Sequence, residues 1–257
     1  MTRMIIALAL TIMTLALPAR AQESVVAGLS QNQVSITATF VGSEILIFGA
    51  VKRDTPAPDT GDLNVVVVVE GPSSALTIRQ KSKRYGIWIN ADSMEVDAAP
   101  SFYAVATSAP FSEAVSETED LRNHISIPQS IRLVGEASER ADVQDYAEAV
   151  IRIRKDQGLY TLQENAVTVS EDTLFNTSIT LPSNLTEGQY HARIYLTRGG
   201  NVVANVVETI EVRKVGLERW IYNLAHQKPL IYGLFSLFIA IVAGWGASAF
   251  FRVIQRN

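Results

Sequence analysis

The sequence predicts a mainly β protein: one or two immunoglobulin-like β-sandwich domains with one inserted amphipathic helix, followed by a C-terminal transmembrane helix. Three observations predict it. Short alternating or apolar segments separated by turn residues recur from Gln33 to Val212. One stretch, Glu136 to Gln157, changes to a helical period. Finally, Leu230 to Phe251 contains no charged residue over 22 positions, long enough as a helix to cross a hydrocarbon core of about 30 Å.

The chain opens with Arg3, an apolar run from Met4 to Leu17, and Pro18 before Ala19-Arg20-Ala21. A positive start, an apolar core and small residues at the end are the three parts of a secretory signal, with cleavage expected after Ala21. That core is short for a spanning helix, which needs about 20 residues.

From Gln33, Val34, Ile36, Ala38 and Phe40 alternate with polar neighbours, the pattern of a half-buried strand. Glu44 to Val51 and Asn64 to Pro72 carry continuous apolar cores, which predicts strands covered on both faces. Lys52 to Asp62 between them is rich in turn residues. Further strands are predicted at Leu76 to Gln80, Tyr85 to Asn90 and Phe102 to Thr107. In the helical segment, Val143, Tyr146, Val150 and Ile153 share a face, Glu136–Arg140 and Glu148–Arg152 are pairs four apart, and Gly158 marks the stop. Tyr190 to Leu196 and Val202 to Val212 then flank Arg198-Gly199-Gly200-Asn201 as a hairpin. Leu217, Trp220, Ile221 and Leu224 fall on one face of a short interfacial helix that leads into the anchor.

The expected organisation is therefore a signal peptide at 1–21, an N-terminal sandwich-like region at 22–110 and a helix-containing second β region at 111–213. A lead-in helix at 214–229, a transmembrane helix at 230–251 and a cytoplasmic tail at 252–257 complete it. Arg252 and Arg256 in a tail without acids place that tail inside by the positive-inside rule, which agrees with the export signal.

Composition excludes several classes. There is no cysteine, hence no disulfide, thiolate metal site or cysteine nucleophile. The middle of the chain carries 18 basic residues between Lys52 and Lys228 against 26 acids, a balance of −8 that repels a phosphate backbone and argues against nucleic-acid binding. His124, His191 and His226 lack a second ligand at metal spacing, and no nucleophile elbow, P-loop or dinucleotide fingerprint occurs. No catalytic residue, cofactor or metal is assigned, and the chain does not read as an enzyme. The acids Glu113, Glu117, Glu119 and Asp120 read as a solvated face, since their spacing is not that of a calcium loop.

Two sets of residues stand out. Arg79, Lys81 and Lys83 share a strand face, with Arg84 beside them and Tyr85 and Trp88 following, a cluster suited to an anion, a lipid headgroup or an acidic partner. A charged edge strand that blocks aggregation has the same pattern. In the apolar helix Ala240, Gly244 and Ser248 recur every four residues, with Ala243 and Ala247 in the next column, a face that lets a second helix approach closely.

The segments Gly158 to Tyr160, Leu174-Phe175, Leu181-Pro182, Gly188 to Tyr190, VRKVGLERWIYNLA, LIYG and Ala243 to Trp245 followed by FFR resemble an uncharacterised alphaproteobacterial family of transmembrane proteins. The resemblance spans the mature chain and is most specific from Glu136 onward. It implies a bacterial inner-membrane protein with its body in the periplasm, and it supplies no catalytic residue. The resemblance also implies a gene neighbourhood beside a sulfite-exporter-like permease, which suggests an accessory role in anion or organosulfur export. A cell-envelope sensor for an anion or organosulfur ligand is the alternative, and a hydrolase with an unrecognised site a third.

Overall fold

The computed structural model describes residues 23–53, 61–132 and 142–254. The signal segment, most of the Lys52 to Asp62 loop, the Glu136–Arg140 pair and the last three residues lie outside the described residues, as do the side chains of 217–220, 223 and 249–254.

Twelve strands form two sheets and a ribbon. They are β1 (Ser24–Leu29), β2 (Gln33–Ile36), β3 (Ser43–Lys52), β4 (Leu63–Glu70), β5 (Ser73–Arg84), β6 (Ile87–Pro100), β7 (Tyr103–Thr107), β8 (Tyr160–Gln163), β9 (Thr168–Ser170), β10 (Leu174–Leu181), β11 (Gly188–Arg198) and β12 (Asn201–Lys214). The four-stranded sheet has the order β1-β3-β10-β9 and the six-stranded sheet β2-β12-β11-β4-β7-β8, while β5 and β6 pair with each other as a separate ribbon, with one isolated bridge from Ala98 to Arg132. Among the described residues five α-helices accompany them, α1 (Phe111–Ala114), α2 (Glu117–Asn123), α3 (Val143–Asp156), α4 (Leu217–Gln227) and α5 (Pro229–Ile254), with one 3-10 turn at Pro128–Ser130. The mainly β class and the C-terminal apolar helix predicted from sequence are observed, and the two sheets stack as a sandwich around one continuous hydrophobic cluster. Each sheet mixes strands from either side of residue 110: β3 pairs with β10 and β4 with β11. Regions 22–110 and 111–213 therefore share both sheets.

The central strand β4 explains the layering. Val65 to Val69 are all essentially inaccessible, so both faces of β4 are covered, as its unbroken run of valines predicts. One face is identified by its hydrogen bonds to the helical segment. The Tyr103 hydroxyl donates to the carbonyl of Ile125, and the Thr197 hydroxyl to that of Ala114. The opposite face, with Ile194 and Leu196, packs on Ile45, Ile47, Phe175 and Ile179 of the smaller sheet.

The outer face of that smaller sheet has no such cover, which corrects the expectation for β3. Its residues alternate, with Ile45 and Ile47 buried but Leu46 and Phe48 more than 40% exposed. Period-two exposure therefore wins over the apolar run. Likewise β2 ends at Ile36 instead of Phe40. Its parallel partner β12 stops at Lys214, opposite Ile36, and the chain turns with the Phe40 amide bonded to the Thr37 carbonyl. The predicted strand Tyr85 to Asn90 begins later, because Tyr85 and Gly86 form a two-residue turn with φ of 53° and 87°. The Gly199-Gly200 turn is built the same way, with φ of 51° and 79°.

A buried ion network closes the end of the sandwich away from the anchor. Glu23 accepts from Arg198 Nε at 2.8 Å, from Arg198 Nη2 at 2.9 Å and from Arg53 Nε at 2.7 Å. Arg198 also donates to the Gly61 carbonyl and Arg53 to that of Asp172. The network thus joins the start of β1 to both sheets and two loops.

The Arg198 hydrogen bond, aided by Arg53, holds the Glu23 carboxyl below its usual range despite burial. A depressed folded value means the stabilisation is complete above the ordinary carboxylate range and is lost as pH falls through the folded value. Glu23→Gln is expected to leave buried guanidinium charge uncompensated and to cost about 3 kcal/mol. Denaturant unfolding at neutral pH measures this, and the difference from the parent protein should shrink on acidification.

Candidate functional site

The basic cluster sits on a two-stranded ribbon that continues the β4–β7 ladder beyond the sheet. After Glu70 opposite Tyr103, the Gly71 amide donates to the Phe102 carbonyl at 2.8 Å and the Ser101 amide to that of Pro72 at 2.9 Å; pairing then resumes at Ser73 and Pro100. Gly71 has to be small here, because a Cβ would meet Ser101 Oγ at 2.7 Å and the Tyr190 ring at 2.9 Å.

Alternation along β5 places Arg79, Lys81 and Lys83 on one face, and Trp88 shares it as the residue opposite Lys83. The other face carries Ile78, Met94, Gln80 and Asp92 and receives α3, whose Tyr146 hydroxyl donates to Gln80 and Asp92 at 3.4 and 3.2 Å. The amphipathic stripe of α3 is thereby explained as packing: Tyr146 and Val150 are its buried residues. Between α3 and β5 runs an open groove of about 540 Å³ lined by Arg79, Lys81, Asp145 and Glu148.

At the tip, Arg84 and Ile87 pair across the turn. Tyr85 is fully exposed, Trp88 is 68% exposed and Ile87 64%. Sequence reasoning located the cations and Trp88, and placed Ile87 and Ile89 only within the predicted strand Tyr85 to Asn90. The signal available was Tyr-Gly between the basic run Lys81 to Arg84 and the apolar Ile87 to Ile89, the place of a hairpin turn.

A second cluster, which the sequence did not disclose, lies where the ribbon leaves the sheet. Arg193 on β11 donates to the carbonyls of Asn123 (3.0 Å) and His124 (3.2 Å), to the Tyr103 hydroxyl (2.9 Å) and to the Tyr195 hydroxyl (3.2 Å), and pairs with Glu70 at 3.2 Å. It caps the C-terminus of α2, where carbonyls lack helical partners. Burial opposes its charge, and Tyr103, Tyr195 and Glu70 more than offset that, so its pKa is raised. Burial also raises the Tyr103 hydroxyl, which therefore stays protonated and donates. Beside this cluster an open groove of about 730 Å³ is lined by Glu70, His124, Gln129, Ser130, Arg132 and Arg193.

Of the acids read as a solvated face, Glu113 and Glu117 are exposed, whereas Glu119 and Asp120 have structural duties. Ser116 caps α2, Glu119 is buried and bonded to Arg122 and Asn123, and Asp120 accepts the amides of Ile125 and Ser126 at 3.1 and 2.7 Å. All three histidines are exposed; His226 stacks on Tyr222 at 4.0 Å. Among the described residues no group of histidines and acids is arranged to hold a metal.

The helix α5 follows α4 through Lys228, and its segment Pro229–Ser248 is long and apolar enough to cross a membrane. Ala240, Gly244 and Ser248 are exposed along it, and a Cβ on Gly244 would meet nothing within 4 Å. The family model described as "Putative transmembrane protein" (Alph_Pro_TM) matches residues 24–253. The chain belongs to this family. No curated protein matches it. Family membership and the apolar helix together make this a membrane protein with a β-rich body. The family residues in Leu159-Tyr160, Phe175, Leu181 and Tyr190 are buried in that body, where they act as core packing.

Arg193→Leu is expected to free the α2 terminus, leave Glu70 without its partner and cost about 2 kcal/mol. Hydrogen exchange should accelerate at the amides of Ile125 and Ser126 while the core amides of β4 keep their relative protection.

Proposed function

We propose that the chain is a single-pass, membrane-anchored accessory protein whose body lies in the periplasm and binds a membrane neighbour, with a sulfite-exporter-like permease as the candidate partner. The observation that carries this reading is the anchor. It is joined to the last strand of the body through a helix of 11 residues, and its small-residue face is exposed at Ala240 and Gly244, where an added Cβ on Gly244 would meet nothing within 4 Å. Lipid tails gain nothing from such a face, whereas a second helix packs closely against it. The arginines after the helix and the signal-like start support a cytoplasmic C-terminus and an exported body. In this reading regions 22–110 and 111–213 act as one recognition body, since they share both sheets.

Detergent extraction of the native membrane followed by capture of the full chain tests the proposal. A membrane permease should co-purify, and Gly244→Leu should reduce its recovery at least five-fold without changing the amount of chain in the membrane. Recovery of no membrane protein sinks the reading.

One observation favours the alternative of an anion or organosulfur sensor: the groove beside Arg193 brings Arg132, Gln129 and Ser130 together at one mouth. A sulfite or sulfonate ligand would draw on the Arg132 guanidinium there. Calorimetric titration of the purified full chain with sulfite and with a short alkyl sulfonate should then show binding that Arg132→Gln weakens at least ten-fold; no heat with either ligand removes this alternative.

A further inference from the structure

The ribbon and the anchor leave the body at the same end, and the ribbon reaches further. Strands β4 and β12 both run antiparallel to β11, hence in the same direction. Glu70 lies opposite His191, which lies opposite Thr209, so these three residues are level. From that level β12 continues only to Lys214, about 17 Å of strand, while the path from Glu70 to Arg84 at the tip is about 46 Å. The ribbon therefore has about 30 Å more strand path than β12 on the anchor side. The greatest stand-off that residues 215–228 allow, with α4 upright, is also about 27 Å. Any tilt of α4 brings the bilayer closer than the length of the ribbon.

The chemistry of the tip suits what it meets there. Between Thr77 and Ala91 there are four cations and no acid, in a chain whose net charge is −4. Arg79, Lys81, Lys83 and Arg84 make no ion pair among the described residues, and all four are exposed. Tyr85, Ile87 and Trp88 form an exposed aromatic and aliphatic end. Cations flanking an exposed Trp and Tyr match an anionic headgroup layer: the rings sit at the polar–apolar boundary and the cations neutralise phosphates. A charged edge that only prevents aggregation would need the cations but not three large exposed apolar side chains at the same tip.

We propose that the β5–β6 tip is a second membrane contact, in which Lys81, Lys83 and Arg84 bind anionic phospholipid headgroups and Tyr85, Ile87 and Trp88 enter the interface of the leaflet on the body's side. The covalent tether supplies a high effective concentration, so the contact works without strong intrinsic affinity. Two points of attachment, α5 and the tip, would fix the tilt of the body over the bilayer. This goes beyond the partner reading, and it is tested in bilayers containing no other protein, so the two can fail separately.

The test uses the full chain with Trp220→Phe and Trp245→Phe, leaving Trp88 as the sole tryptophan, reconstituted into phosphatidylcholine bilayers with and without phosphatidylglycerol. Lipids brominated near the headgroup should quench Trp88 at least three-fold more in the anionic bilayers, with a blue-shifted emission. Combined Lys81→Gln, Lys83→Gln and Arg84→Gln, or a rise from low to molar salt, should abolish most of that difference. Because these side chains are exposed, an unchanged circular dichroism spectrum will confirm that the variants fold. Emission typical of water-exposed tryptophan, with no quenching in either bilayer, overturns the proposal. So does protection of Trp88 only in native membranes, which would assign the tip to a protein partner.

Discussion

The architecture depends on burying β4 on both faces. Five consecutive valines exclude water from Val65 to Val69, and each fully buried valine contributes about 1.5 to 2 kcal/mol relative to exposure. A strand with that content cannot lie on a solvated sheet. One side is covered by the smaller sheet, through Ile45, Ile47, Phe175 and Ile179. The other is covered by the helical segment between β7 and α3, which carries polar backbone that must itself be satisfied. Tyr103, Thr197 and Arg193 project from the sheet and supply those bonds. The Arg193 cluster is thus a consequence of the valine strand: covering it with helix ends creates carbonyls, and a guanidinium meets them.

The same strand sets the direction of everything on the membrane side. Because β4 runs with β12, its continuation into β5 extends toward the end from which α4 and α5 depart. Had β4 run the other way, the ribbon would extend away from the anchor. Part-way along the ribbon α3 rests on Gln80 and Asp92 through Tyr146. The outer part, past Lys81, has no such support and keeps its side chains in solvent. At the opposite end of the sandwich the network in which Arg198 and Arg53 share the Glu23 carboxylate closes the body. The molecule is therefore polar in its construction: a sealed ionic end, and an open end bearing two exits.

Legibility in the sequence followed the range of the interactions concerned. The apolar helix, the stripe of α3 with Gly158 behind it, and the Arg198-Gly199-Gly200-Asn201 turn were readable because each depends on residues a few positions apart. Basic residues at period two were readable too, and the pairing keeps Arg79, Lys81 and Lys83 on one face. Whether β3 is covered was not readable: Leu46 and Phe48 look like core residues until the sheet that could cover them turns out to lie on the other side. The full length of β5 and β6 was hidden for a related reason. The outer part of β5, Lys81 to Arg84, is polar and mostly exposed, so no hydrophobic pattern marks it, and only its ladder with Ile87 to Asn90 makes it a strand. The acids of α2 misled in the same way, since Glu119 and Asp120 are held by partners that their spacing does not reveal.

By itself the sequence determined a cysteine-free, mainly β chain with one apolar helix near its C-terminus, because composition and local periodicity are properties of short segments. Tertiary structure alone decided that strands from both halves interleave in shared sheets and that Arg193, Glu70 and Tyr103 meet. It also decided that the basic ribbon extends toward the end of the body at which β12 stops. These depend on which strand pairs with which and in what direction, and that choice is made by the burial of β4 between two layers, a constraint no single segment carries.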